Sequence, residues 1–139
     1  MEQSLIQLLD TAAIFRYHRS LISEYGSVTT RALGWLAPEG QQARFEVLAG
    51  IGDLNDHSVL DAGSGHADLY PFLKARYPRL RYFGVEQMTE LLDVAAACYG
   101  DVERYKPSLT TSQLPSPPLP YYPASHERYS GQPANCRQE

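Results

Sequence analysis

Apolar residues recur at helical spacing near the start of the chain: Leu5, Leu8, Leu9, Ala12, Ala13 and Phe15. This pattern predicts a helix from about residue 4, with Gly26 as the residue that ends it. A second helix is predicted from Gln41 to Leu48, with Phe45 and Leu48 facing inward. The stretch Gly52-Asp53-Leu54-Asn55-Asp56 then turns the chain. A short apolar strand follows, Ser58 to Leu60, and leads into Asp61. After a loop containing Gly63 and Gly65, a helix is predicted from Asp68 to about Tyr77. Pro71 falls in its first turn, where backbone N–H groups are unpaired, and Pro78 stops it. A second strand, Arg81 to Val85, ends on Glu86. Thr89 is the expected N-cap of a helix running to Tyr99, with Gly100 at its close.

The pattern fails after about residue 106. Seven of the 33 residues from 107 to 139 are proline, and Val, Ile, Phe and Met are absent there. Pro115, Pro117, Pro118, Pro120 and Pro123 remove donors that strands need. This stretch reads as disordered or polyproline-like. The chain therefore divides into a helical extension (1–57), a βαβα unit (58–106) and a Pro-rich tail (107–139). No internal repeat is evident.

Composition narrows the picture. At 139 residues and 43% apolar, the chain suggests one domain with a core. Net charge is −4, and no Lys/Arg run offers an electrostatic footprint for nucleic acid. Cys98 and Cys136 lie far apart and in no metal-ligand spacing. The expectation is no metal site, no disulfide framework and a reducing, cytoplasmic setting. The start of the chain lacks the basic and apolar regions of a signal peptide. No apolar run approaches the roughly 18 residues of a membrane span.

The chemistry concentrates at residues 58 to 68. Glycines at a strand-to-helix turn let backbone approach a ligand that a Cβ atom would push away. Glu86 lies 21 residues beyond Gly65, about the spacing at which an acid reaches ribose hydroxyls in a nucleotide-binding βαβ unit. The pair predicts an adenosine-containing cofactor. A dinucleotide is disfavoured. Its fingerprint would put Asp68 where the third glycine belongs, beside a pyrophosphate that an acid repels.

Val59, Leu60, Asp61, Gly63, Gly65 and Ala67 match the first motif of class I S-adenosylmethionine-dependent methyltransferases, which the chain resembles from Ser58 to Gly100. Ala67 stands where that pattern has its third glycine, a change expected to tighten the loop. The resemblance implies a Rossmann-like α/β fold, here with an N-terminal helical extension and an incomplete parallel sheet of two convincing strands. It also implies S-adenosyl-L-methionine as cofactor. Asp61 would help hold its amino group, Gly63 and Gly65 would admit its methionine part, Glu86 would bind its ribose, and Gln87 and Met88 would flank its adenine. The missing strands imply a truncated, frameshifted or degenerate member. Catalytic residues and the methyl acceptor are not legible.

Other residues carry plainer readings. Asp68 is expected to cap its helix. His66 reads as a structural or exposed loop histidine rather than a catalytic one. His18, with Arg16, Tyr17 and Arg19, reads as a solvated helix face, or as a cover over the cofactor. Trp35 and Phe45 read as packing residues, with Trp35 able to cover a pocket. Cys98 reads as inert core in an apolar helix. The rival to an enzyme is a non-catalytic remnant that binds a partner or a second copy through its exposed sheet edge.

Overall fold

The structure is a computed structural model that describes residues 2–107, 126–128 and 136. It is a mixed α/β fold. In chain order it contains helix α1 (Glu2–Tyr25), a 3-10 turn (Thr30–Leu33), α2 (Pro38–Ala49), β1 (Ser58–Ala62) and α3 (Leu69–Arg76). These are followed by β2 (Arg81–Val85), α4 (Thr89–Cys98), β3 (Glu103–Pro107) and β4 (His126–Arg128). Helix α1 ends at Gly26 as expected, with its N–H donating to the Ile22 carbonyl. Helix α2 begins three residues earlier than Gln41, because Pro38 takes the first helical position, where its missing N–H costs nothing. Phe45 packs on the core, but Leu48 is exposed rather than inward-facing.

Among the described residues the sheet has four strands in the order β1-β2-β3-β4. β1 pairs parallel with β2, setting Asp61 opposite Gly84 and Ala62 opposite Val85. β2 pairs parallel with β3, and β3 antiparallel with β4. Two of these strands correct the sequence expectation. β3 reads Glu-Arg-Tyr-Lys-Pro, with no apolar run to announce it. It is held by backbone pairing to a buried neighbour, β2. β4 lies in the tail expected to be disordered. His126–Arg128 contains no proline, so its donors can serve the ladder. The rest of that Pro-rich tail, apart from Pro107 and Cys136, lies outside the described residues.

The core gathers Ala49, Ala67, Leu69, Leu73, Leu80, Tyr82, Ala95 and Val102 between the sheet and helices α2, α3 and α4. A satellite cluster of Ala32, Met88 and Leu91, flanked by Ile22 and Leu33, joins the 3-10 turn and α1 to α4. Full burial of a leucine such as Leu92 contributes about 1.5–3 kcal/mol. An ion pair between Arg19 and Glu90 ties α1 to the start of α4. Cys98 is bonded to Cys136, which corrects the expectation of two free thiols. Their Cα atoms lie 4.8 Å apart although 38 positions separate them. Spacing alone held no sign of that approach, and the argument from cysteines for a reducing setting no longer stands. Among the described residues, no helix is long and apolar enough to cross a membrane.

Candidate functional site

β1 and β2 run parallel and end side by side, so the loops that leave them meet. The loop after β1 folds back over the end of β2, where the N–H groups of Gly63 and Ser64 both donate to the Val85 carbonyl, at 2.8 and 2.9 Å. That crossing requires Gly84. A Cβ atom there would lie 2.9 Å from the Ser64 hydroxyl oxygen. Gly84 and Ser64 were not singled out in the sequence, although a lone glycine inside a strand signals such an approach.

Glu86 binds the two loops together. One carboxylate oxygen accepts from the Gly65 N–H at 2.9 Å. The other accepts from the N–H groups of Gln87 and Met88, at 2.8 and 3.0 Å. Asp61 accepts a 2.5 Å hydrogen bond from the Tyr82 hydroxyl on the neighbouring strand. Burial raises the Asp61 pKa above its ordinary value, opposed by that hydrogen bond and reinforced by the nearby Glu86 charge. The Tyr82 hydroxyl is itself pushed well above the ordinary tyrosine value, first by burial and then by Asp61.

The six residues named from the motif, Asp61, Gly63, Gly65, Glu86, Gln87 and Met88, line one cavity of about 470 Å³. Their accessibility differs. Nothing lies within 4 Å of the position a Gly63 side chain would take. At Gly65 the same position is filled by Leu33 of the 3-10 turn, so that glycine makes room for protein. Met88 is buried and Gln87 exposed. Ala67 has φ +61°, the left-handed conformation that glycine adopts without penalty.

Four readings change in whole or in part. Asp68 takes the N-cap position of α3 as expected but makes no side-chain cap hydrogen bond. Its carboxylate instead accepts from Gln41 of α2 at 3.2 Å and from the Tyr99 hydroxyl at 2.9 Å, tying three segments together. Cys98 is not an inert core thiol, since it is bonded to Cys136. Gly100 follows the C-cap Tyr99 as expected, but without the left-handed conformation. Thr89 starts α4 rather than capping it. His66 is fully buried and structural, with Nε2 donating to the Ser27 carbonyl at 2.6 Å. That contact fixes the tautomer at Nε2–H and fastens the glycine loop to the end of α1.

The helical extension forms one wall of the cavity. Phe15 and His18 of α1, Trp35, and Arg44 and Phe45 of α2 all line it. His18 thus lines the cavity and is half-buried, while Arg16, Tyr17 and Arg19 are exposed. Gln41, missed in the sequence, lines the cavity as well. No protein-family model, curated protein or solved structure matches this chain.

Proposed function

We propose that the chain is an S-adenosylmethionine-dependent methyltransferase, or its cofactor-binding half, with a Rossmann-like sheet. One observation supports it above the others. The glycine loop after β1 and the acid after β2 line a single cavity at the carboxyl ends of neighbouring parallel strands. Ligands of open α/β sheets occupy that position.

The residues present fit the cofactor. Gly63 leaves its side of the loop open. Asp61 offers a carboxylate for an amino group, and Glu86 one for ribose hydroxyls. Gln87 and Met88 would flank the adenine. A volume of about 470 Å³ falls within the small-ligand range. The Asp68 carboxylate at the start of α3 disfavours a pyrophosphate there. When bound, the cofactor supplies an electrophilic methyl group on a sulfonium. The chain contributes binding, orientation and exclusion of water. A cytoplasmic setting belongs to the same reading, and the Cys98–Cys136 bond lends it no support.

Calorimetric titration with S-adenosylhomocysteine tests this. Saturable binding is expected, weakened by about 1.5–3 kcal/mol in Glu86→Ala, the scale of hydrogen bonds to a charged group. No binding by the folded wild-type chain overturns the proposal.

A non-catalytic interaction module is the second reading. Among the described residues β1 has a neighbour on one side only, and Leu36, Val47 and Ile51 are exposed nearby in sequence. Sedimentation equilibrium separates the two. Micromolar or tighter self-association without S-adenosylhomocysteine binding favours the module.

A further inference from the structure

We infer that the helical wall of the cavity is a subsite for a second ligand, a flat apolar carboxylic acid gripped by Arg44. The inference rests on the cofactor reading for the name of that ligand, a methyl acceptor, and on the wall itself for its chemistry.

The cavity has two kinds of lining. The loops after β1 and β2 contribute Asp61, Asp68 and Glu86. Each of these acids already accepts hydrogen bonds: Asp61 from Tyr82, Asp68 from Gln41 and Tyr99, and Glu86 from three backbone N–H groups. Helices α1 and α2 and the segment between them contribute Phe15, Trp35, Phe45 and Leu48, an apolar and largely aromatic wall. Such a surface suits a planar hydrophobic body.

Arg44 sits in that wall. It is the only Lys or Arg among the described residues that line the cavity. Its guanidinium carbon lies 4.8 Å from the centroid of the Trp35 ring. Arg19, Arg76 and Arg79 pair with Glu90, Glu46 and Asp56, whereas Arg44 meets no carboxylate among the described residues. Stacking on an aromatic face holds the planar fork in place and leaves its N–H edges free for a carboxylate. A carboxylate accepts from such a fork through two parallel hydrogen bonds. Aromatic walls and one unpaired guanidinium together select a flat acid over its neutral amide.

The test is calorimetric titration of the full chain with 2-naphthoate and with 2-naphthamide, beside S-adenosylhomocysteine. Naphthoate is expected to bind about 10- to 100-fold more tightly than the amide. Arg44→Gln should abolish that preference and leave S-adenosylhomocysteine binding in place. Arg44 is exposed on α2, so the variant should fold, and circular dichroism checks this. Binding of S-adenosylhomocysteine with no preference for naphthoate overturns the subsite alone. Naphthoate preference that depends on Arg44, without S-adenosylhomocysteine binding, supports the subsite and overturns the cofactor reading. Binding of neither probe overturns both.

Discussion

Leu33 fills the space that a side chain on Gly65 would need. A Cβ atom at Gly65 would lie 2.7 Å from the Leu33 Cδ2 methyl, and Gly65 has φ +55°. The Gly65→Ala variant is therefore expected to lose about 2–4 kcal/mol, combining left-handed strain with overpacking. Trimming Leu33 to alanine removes the clash but not the strain. In a double-mutant cycle by urea denaturation, the pair should be less destabilised than the sum of the singles by about 1–3 kcal/mol. Strict additivity would show that the two residues do not meet.

Glu86 has a structural duty beside any ligand role. Its carboxylate serves the N–H groups of Gly65, Gln87 and Met88. Glu86→Ala should cost about 1–3 kcal/mol of stability with no ligand present, since those donors lose their acceptor. Glu86→Gln keeps one acceptor oxygen and should lose less. Equal denaturation midpoints for wild type and Glu86→Ala would remove the bridge between the loops.

Asp61 makes stability depend on pH. Folding raises its pKa above the ordinary 3.8, chiefly through burial. The folded chain thus holds this proton more tightly than the unfolded chain. The resulting stability is fully present below pH 3.8 and is lost as pH rises through the folded value. Asp61→Asn lacks that loss. Urea midpoints measured from pH 3 to pH 7 should shift in favour of the variant as pH rises. A constant difference across the range would contradict the burial of an ionisable carboxyl.

Ala67 stands where the methyltransferase motif has glycine, and φ +61° gives the physical reason for glycine there. Ala67→Gly relieves about 1–2 kcal/mol of left-handed strain. It also gives up a buried methyl worth about 0.8 kcal/mol and adds freedom to the unfolded chain. The net change in thermal stability should stay within about 1 kcal/mol. A larger loss would mean that the methyl is a packing element of the core.

The parts of the fold legible in the sequence were those set by local pattern. β2, α3, α4 and the end of α1 at Gly26 follow from apolar spacing, prolines and glycines, and the structure places them within a residue or two of expectation. β3 and β4 were hidden because their order depends on pairing with a distant strand, which leaves little mark on Glu-Arg-Tyr-Lys-Pro or His-Glu-Arg. The six motif residues do share a cavity. The sequence hid what surrounds them. Leu33 against Gly65, Ser27 on His66 and Gln41 on Asp68 are contacts across 27 to 39 positions, and no local rule encodes them.

The bond between Cys98 and Cys136 turns the last part of the chain into a covalent ring. One backbone cut inside that ring releases no fragment and adds only the mass of a water molecule. Two separate pieces emerge only after a reductant opens the bond. A molecule nicked there would run as intact on a non-reducing gel, and the presence or absence of reductant would decide whether a cut between Cys98 and Cys136 can be seen.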